Sequence, residues 1–384
     1  MNKHQLRVQE ALQYFAQKDI GLAFRKLLDC AADTQQMSIY EKAIALTDWK
    51  EKHPAEVETL IEKATVLLRE IADCKVTELP TETAVLVAEE VRKHYALGRF
   101  QLGPISLSIK KGQVYGLVGE NGNGKTTLLR ILARDLSYDS GVVKYYFTER
   151  PKNDYDLRTK LIYIPQRTEK WYGSLKSNLI FTVSLYGIPA EENELRTLLM
   201  IARLGLWQYQ HLDWNALSSG YKMRFELART LLRQPEILLL DEPLGNLDVL
   251  AQQVILEDLK MIANSVNHPI ALILSSQQLF EVEKISDKVI FLRNGQYRDN
   301  AEATATEEAM PLIVEIDTTN TREELMAVFK AFALEKLNYN GGVYVAYFRP
   351  NTEYSAVLEA LGKAKIDLTY IRNISASTRR FFVS

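Results

Sequence analysis

The feature that most constrains the fold is a glycine-rich segment at residues 119–127, Gly-Glu-Asn-Gly-Asn-Gly-Lys-Thr-Thr. It fits the pattern of a glycine, four residues and then Gly-Lys-Ser/Thr that builds phosphate-binding loops. Residues 113–118 predict a buried strand that enters the loop, and residues 127–132 predict a helix that leaves it. This order places successive backbone amides and the positive end of the helix dipole around a phosphate. The segment therefore predicts a site for a nucleoside triphosphate.

Individual roles in the loop follow from the chemistry of its residues. Glycines permit backbone angles and close approaches that a Cβ atom would block. Lys125 is expected to reach the β- and γ-phosphates, and the Thr126 hydroxyl is expected to bind Mg²⁺. The predicted nucleotide-binding residues of the loop are Gly119, Asn121, Gly122, Asn123, Gly124, Lys125, Thr126 and Thr127.

The length, charge and composition of the whole chain limit the classes of protein to which it can belong. Its 384 residues are long for one domain, so two or three domains are expected. A net charge of −2 gives no electrostatic reason to expect nucleic acid as a partner. The longest apolar runs fall far short of the roughly 20 residues that cross a bilayer. Cys30 and Cys74 match no metal-binding spacing, which favours reduced thiols and is consistent with the cytosol.

Changes of pattern divide the chain into three predicted domains. Residues 1–80 show helical spacing, with a fourth helix expected to begin at Pro54. These helices form either a simple bundle core or a partner-docking surface. Residues 81–300 alternate strands and helices, which predicts a largely parallel sheet. Residues 301–384 predict the ferredoxin-like order βαββαβ, including a helix over 322–334, and favour a structural or regulatory role.

Two further segments carry the residue types of nucleotide hydrolysis. Residues 217–221, Leu-Ser-Ser-Gly-Tyr, open a predicted helix, and an apolar strand at 237–240 ends in Asp241 and Glu242. A carboxylate in the position of Asp241 can bind Mg²⁺ directly or through water, although such a residue is otherwise often a solvated turn residue. Together with Lys125, these segments resemble the nucleotide-binding subunit of an ATP-binding cassette (ABC) transporter.

The resemblance covers roughly residues 82–298. It implies an α/β P-loop NTPase of the ABC ATPase type, in which a mixed sheet carries a helical signature subdomain. The predicted flanking domains are then an all-α domain before it and an α+β ferredoxin-like domain after it. The resemblance also implies ATP as the nucleotide and Mg²⁺ as the metal ion.

Further residues receive roles from this resemblance. Glu242 is expected to act as the general base that orients the attacking water. Gln166 matches the glutamine loop, which touches Mg²⁺ and moves with the transmembrane partner. Asp248 matches the loop that communicates across the dimer. Tyr95 is the aromatic residue expected to stack on adenine, with a core tyrosine as the alternative.

In this family two cassettes meet head to tail, and each ATP lies between one phosphate loop and the signature of the other chain. Ser218, Ser219, Gly220 and Tyr221 are therefore expected to bind the nucleotide of a second cassette. Ser219 stands where the family usually has glycine, and Tyr221 where it usually has glutamine. Gln277 takes the place of the switch histidine as a catalytic residue. Its amide can hydrogen-bond the γ-phosphate but cannot become cationic, so slow turnover is expected.

The sequence predicts an ATPase subunit that dimerises on ATP and drives a separately encoded permease at the inner face of the cell membrane, with export favoured. Residues 171–174 lie where family members contact membrane-subunit helices. One alternative is a permease-independent ABC ATPase that acts on a soluble assembly. Such relatives typically carry two cassettes or a long coiled coil, and the chain has one phosphate loop and no heptad run. The other alternative is a binding-only regulatory subunit with weak hydrolysis, which Gln277 would explain.

Overall fold

The computed structural model describes residues 2–95, 100–245, 247–277, 279–299 and 311–375. The N-terminal part of this chain is helical. Its helices are α1 (Lys3–Ala16), α2 (Ile20–Thr34), α3 (Met37–Lys52) and α4 (Val57–Ala72). They share an apolar core in which Phe15 of α1, Leu28 of α2 and Leu68 of α4 are fully buried. None of the helices in the described ranges is both long enough and apolar enough to span a membrane.

Local hydrogen bonds set the ends of these helices. Asn2 and Gln5 form a reciprocal capping box that starts α1, and the Asp19 side chain caps α2. The predicted start of the fourth helix at Pro54 is wrong. The Glu56 amide donates to the His53 carbonyl over 3.1 Å and closes a separate turn first, so α4 begins three residues later.

The central part contains two sheets. The strands of the antiparallel sheet, in the order β2-β1-β4, are β1 (Ala84–His94), β2 (Gln101–Lys110) and β4 (Ser140–Tyr145). The six-stranded sheet has the order β5-β6-β7-β3-β8-β9 and comprises β3 (Val114–Val118), β5 (Leu161–Ile164), β6 (Ile237–Leu240), β7 (Ala271–Ser276), β8 (Lys288–Arg293) and β9 (Gln296–Asp299). All of its neighbouring strands are parallel except β8 and β9. Strands β3, β6 and β7 are buried along their whole length, as expected for parallel strands covered on both faces.

Helices of the central part surround this sheet. They are α5 (Lys125–Leu132), α6 (Asp154–Lys160), α7 (Leu175–Leu185), α8 (Ala190–Arg203), α9 (Ser219–Leu231), α10 (Val249–Ala263) and α11 (Leu279–Ile285). Helices α8 and α9 both pack against α7 in an insertion between β5 and β6. The mixed α/β fold and the helical subdomain agree with the fold class expected from the sequence.

The C-terminal part forms one antiparallel sheet with two helices. Its elements are β10 (Leu312–Thr318), α12 (Arg322–Phe329), β11 (Leu334–Asn340), β12 (Val343–Phe348), α13 (Tyr354–Lys363) and β13 (Leu368–Asn373), and the strand order is β11-β12-β10-β13. This is the predicted βαββαβ unit. The predicted helix over 322–334 is too long, because Leu334 pairs with Phe348 in the sheet. The predicted boundary at residues 300–301 lies outside the described residues.

A stripe of charges on α2 joins the N-terminal helices to the central part. Arg25, Asp29 and Asp33 follow one another at intervals of four residues, so they share one face of the helix. We call these three residues the α2 charge stripe. Arg25 donates to Asp258 of α10 over 3.2 Å, while Asp29 forms an ion pair with Arg203 of α8.

The third residue of the α2 charge stripe, Asp33, accepts a hydrogen bond of 2.7 Å from the Ser265 hydroxyl, just after α10, and pairs with Arg7. The side chains of Asp29 and Asp33 are 2% and 3% exposed. The interface between the N-terminal helices and the central part therefore buries charge in compensated pairs.

Replacing Arg203 by alanine is expected to lower the free energy of unfolding by about 3–5 kcal/mol, because Asp29 would stay buried without its ion-pair partner. Urea denaturation followed by circular dichroism measures the change. The control is Lys52→Ala, which breaks an exposed pair with Asp48 and should shift stability by about 0.5 kcal/mol or less. If the two variants unfold at the same urea concentration, the buried pair of Asp29 and Arg203 contributes no more stability than an exposed pair, and the prediction is wrong.

Candidate functional site

The phosphate loop has the backbone geometry that its glycines predict. Gly122 and Gly124 adopt φ angles of 81° and 96°, a region that side chains other than glycine seldom enter. A Cβ atom on Gly124 would also lie 2.7 Å from the Phe100 ring. The loop runs directly into α5, whose first-turn N–H groups have no partner within the helix. These amides are available to an anion in the cleft above them.

Lys125 lies at the start of α5 and is almost completely buried. Its Nζ atom donates to the carbonyls of Gly119 over 2.7 Å and Glu120 over 3.3 Å. The same atom lies 3.4 Å from Oε1 of Glu242. The ammonium group is therefore held at the base of the loop and stays within reach of a bound phosphate.

Asp241 follows the end of β6 and is buried below the loop. Its Oδ2 atom accepts hydrogen bonds from the Thr126 hydroxyl over 2.8 Å and from the Tyr163 hydroxyl over 3.1 Å. Its Oδ1 atom accepts from the Ser275 hydroxyl over 2.7 Å. A hydroxyl and a carboxylate that already touch each other are hard oxygen ligands of the type that Mg²⁺ prefers.

The residues present fit a cation that shares its ligands with a phosphate. Across the described ranges, no group of three His, Cys, Asp or Glu side chains forms a site that could hold a metal ion alone. Mg²⁺ is commonly held by one or two protein oxygens together with water and substrate phosphates. Thr126 and Asp241 supply such a partial set next to the phosphate loop.

Glu242 is held by hydrogen bonds at both its backbone and its carboxylate. Its amide donates to the Ser275 hydroxyl over 2.8 Å, and its Oε2 atom accepts from Nε2 of Gln277 over 2.9 Å. Its φ angle of 49° is unusual for a residue other than glycine, and such strained angles cluster at functional sites. Gln277, for which the sequence predicts a γ-phosphate contact, donates a hydrogen bond to the carboxylate of Glu242 in the structure.

Lys125, Thr126, Glu242 and Gln277 line one open cleft of about 320 Å³, and Asp241 lies behind Thr126. Its lining consists of Phe100, Asn121, Gly122, Gly124, Lys125, Thr126, Thr127, Gln166, Glu242 and Gln277. The structure thus brings most of the predicted loop residues together with Gln166, although the two segments are far apart in sequence. Asn123 differs, because its side chain accepts from the Asn294 amide over 3.0 Å and ties the loop to the β8–β9 turn.

Two aromatic side chains stand at the edge of the cleft. Tyr95 is 40% exposed, so it is not a core tyrosine, and its hydroxyl lies 3.4 Å from the Thr127 hydroxyl. The ring of Phe100 lies 6.3 Å from the Tyr95 ring and lines the cleft directly. Sequence reasoning missed Phe100. The signal in the sequence was its position: Phe100 directly precedes β2, the strand that pairs with β1, and Tyr95 directly follows β1.

The predicted signature residues lie apart from this cleft. Ser218 caps α9 by accepting from the Tyr221 amide over 3.4 Å, and Asp248 caps α10 in the same way. The Tyr221 ring packs on Tyr209 with a centroid distance of 3.9 Å. Hydrogen bonding with Tyr209, and then burial, raise the pKa of the Tyr221 phenol. Among the described residues that line the cleft, none comes from residues 218–221 or from Asp248.

A three-residue contact joins the segment after Gln166 to the signature helix. The indole N–H of Trp171 donates to Oε1 of Glu226 over 2.8 Å, and Glu226 is buried on α9. The guanidinium of Arg229 bonds the same carboxylate and lies 4.4 Å from the Trp171 ring centroid. The exposed segment that begins at Trp171 is therefore anchored to α9 by a charge-assisted network.

Comparison with known proteins shows what the central part is similar to. Residues 102–245 match the sequence model described as ABC transporter. The chain is 32% identical over 217 residues to the sulfate/thiosulfate import ATP-binding protein CysA of Vibrio cholerae, covering 54% of this chain and 56% of that protein. It is 31% identical to the Nod factor export ATP-binding protein I of Ralstonia nicotianae, covering 56% of this chain and 66% of that protein. The chain thus spans little more than half the length of the sulfate/thiosulfate relative.

A solved structure shows the same fold. CbiO1 from Clostridium perfringens, described as part of the ABC transporter complex cbiONQ, superimposes with a TM-score of 0.52 at 24% identity. The match covers 59% of this chain and 92% of that chain. At this level of identity the likeness concerns the fold alone.

Proposed function

Because residues 102–245 match the family model described as ABC transporter, we propose that this chain is the ATPase subunit of a transporter with a separate membrane subunit. The observation that carries the proposal is the single cleft that joins Lys125, Thr126 and Glu242 with Gln166 and Gln277. The chemistry proposed for this cleft is ATP hydrolysis.

The loop amides and Lys125 bind and orient the triphosphate. Lys125 exchanges its contacts with the loop carbonyls for the β- and γ-phosphates. Thr126 and Asp241 would hold Mg²⁺, which supplies positive charge against the phosphate oxygens. Lys125 and the loop amides are fixed hydrogen-bond donors. They stabilise the negative charge that develops on the phosphate oxygens as the bond to the γ-phosphate breaks.

Glu242 is the residue that prepares the attacking water. Its Oε1 atom lies 3.4 Å from the Lys125 ammonium. When Lys125 turns to the phosphates, this oxygen becomes available to accept a proton from water. Gln277 keeps the other oxygen in place through the 2.9 Å amide contact. A glutamine can orient the carboxylate but cannot add positive charge, so we expect slow hydrolysis.

We propose that a second cassette completes the site. The signature residues 218–221 lie outside the cleft of their own chain, at the N-terminus of α9, where a helix dipole favours an anion. Asp248 is followed by Val249 and Leu250, which are exposed at the start of α10. An exposed apolar pair next to the dimer-communication loop suits burial against another cassette, either a second copy or a related chain.

An aromatic surface near α7 is the proposed docking site for the membrane subunit. Tyr155, Tyr172, Phe181 and Leu185 have exposed fractions of 61%, 81%, 61% and 54%. Helix α7 buries its opposite face through residues such as Leu179. Exposed apolar patches of this kind mark interaction sites. The proposal places the chain on the inner face of the cell membrane through its partner, and export remains a prediction because importers and exporters both match.

Replacing Phe181 by aspartate is expected to lower the amount of chain recovered with membranes at least about tenfold, since a central aromatic contributes about 2 kcal/mol or more to an interface. The measurement is quantitative blotting of washed membranes from the source cell. Val66→Asp is the matched control, because Val66 is 65% exposed on α4, away from this surface. Equal recovery of both variants would contradict the docking site. A wild-type chain found only with soluble assemblies would favour the permease-independent alternative.

A further inference from the structure

Tyr163 contacts the proposed metal site from β5, a strand that lies outside the phosphate-loop segment. It is the third residue of β5 and lies three residues before Gln166. Its ring packs partly against the apolar core that contains Leu161 and Leu239. Its hydroxyl donates to Oδ2 of Asp241 over 3.1 Å.

The sheet register explains how Tyr163 reaches Asp241. Strands β5 and β6 are parallel, and Tyr163 lies opposite Leu239. Asp241 lies two residues beyond Leu239, so its side chain lies on the same face of the sheet. The Asp241 amide continues the ladder by donating to the Ile164 carbonyl over 2.9 Å. Backbone pairing on both sides of the contact therefore fixes the two side chains as neighbours.

The hydrogen bonds of the Asp241 carboxylate define what Tyr163 can contribute. Ser275 occupies Oδ1, whereas Thr126 and Tyr163 share Oδ2. When the Thr126 oxygen turns to a metal ion, the Tyr163 hydroxyl is the donor of this pair that remains on Oδ2. A tyrosine hydroxyl is an ordinary hydrogen-bond donor at neutral pH, so the geometry suffices for Tyr163 to hold this oxygen.

We propose that Tyr163 is a positioning residue for the metal ion: its hydroxyl fixes the orientation of the Asp241 carboxylate and links the strand before Gln166 to the metal site. This inference rests on the proposed function, in which Thr126 and Asp241 hold Mg²⁺ beside ATP. Donors that orient a metal-binding carboxylate commonly contribute about 10- to 100-fold to metal affinity or activity. Tyr163 is not among the residues that line the cleft.

The test is Tyr163→Phe, which removes the hydroxyl and keeps the ring. A fluorescent ATP analogue is titrated without metal and then at increasing Mg²⁺. We expect metal-free nucleotide affinity to change less than about twofold and the half-saturating Mg²⁺ concentration to rise about 10- to 100-fold. Tyr115→Phe is the control, because Tyr115 is a buried phenol in the same sheet that bonds Gln113 and Lys110 instead. Its Mg²⁺ titration should match that of the wild type.

Two outcomes separate the inference from the proposed function. An unchanged Mg²⁺ half-saturation in Tyr163→Phe, with Mg²⁺-dependent binding by the wild type, overturns the role of Tyr163 alone. A wild-type chain that binds no nucleotide overturns the proposed function first. A double-mutant cycle adds a readout that simple destabilisation would not give. In an Asp241→Asn background, Tyr163→Phe should have no further effect on Mg²⁺ dependence, and a full additional loss would contradict the proposal.

Discussion

Replacing Glu242 by glutamine is expected to lower the steady-state rate of ATP hydrolysis by about 100- to 10,000-fold, the usual contribution of a positioned general base. The amide keeps the size of the side chain but cannot accept the proton of the attacking water. Nucleotide binding should persist, because Lys125, the loop amides and Asp241 are unchanged. ATP would then stabilise the closed pair of cassettes. Phosphate release measures the rate, and size-exclusion chromatography with ATP measures the trapped dimer.

The control for Glu242→Gln is the same substitution at Glu257, an exposed residue of α10 that pairs with Arg25. It should hydrolyse ATP at the parent rate. If Glu242→Gln also retains the parent rate, Glu242 is not the base. A wild-type chain that binds ATP and releases no phosphate at all would instead identify a binding-only subunit, the role that Gln277 suggests.

Replacing Lys125 by alanine is expected to weaken ATP binding by about 30- to 4,000-fold. Truncating one partner of a buried charge pair costs about 2–5 kcal/mol, and each 1.4 kcal/mol is about a factor of ten. Here the lost partner is a buried ammonium aimed at two phosphates, with Glu242 left beside them to repel the anion. Isothermal titration calorimetry with ATP in the presence of Mg²⁺ measures the affinity.

The matched control is Lys144→Ala, which removes an exposed lysine of β4 that pairs with Glu89. It should change ATP affinity less than about twofold, because exposed charges are screened by water and salt. Near-parental affinity in Lys125→Ala would mean that the cleft does not bind the triphosphate through this loop. Circular dichroism of both variants verifies that neither loses the fold.

The sequence predicted those parts of the site whose functional residues lie close together along the chain. The phosphate loop carries its glycines, Lys125 and Thr126 in one short segment, and Asp241 directly precedes Glu242. Local spacing is enough to assign such segments, because the strand before each one sets their direction. Gly341 and Gly342 are a similarly local signal, since they lie in the turn between β11 and β12 with φ angles of 60° and 94° that suit a tight turn.

Contacts between distant segments could not be predicted in this way. Ser275 bonds both Asp241 and the Glu242 amide, yet nothing near Ser275 in the sequence indicates a partner 33 or 34 residues away. Tyr163 has an ordinary strand environment, and only its register with Leu239 reveals its role. The predicted end of the helix over 322–334 was wrong for a similar reason. Leu334 has a helix-forming side chain, but pairing with β12 places it in a strand.

The N-terminal helices show how tertiary contacts decide between readings that the sequence leaves open. Their apolar stripes form a shared core, as a bundle would. Charges spaced four residues apart on α2 have the pattern of a solvated helix face. In the structure, Asp29 and Asp33 are instead buried against α8 and the end of α10. Periodicity predicts which residues share one face of a helix. Only the tertiary packing shows which element covers that face.

The α2 charge stripe couples the N-terminal helices to the central part of the chain. Arg203 and Asp258 belong to the central part, but their counter-ions are supplied by α2. A shortened polypeptide that begins at residue 81 would present an orphaned guanidinium and carboxylate on a surface shaped for burial. The smallest stable unit is therefore expected to be larger than the residues that match the family model, because the charges of the central part need their partners on α2.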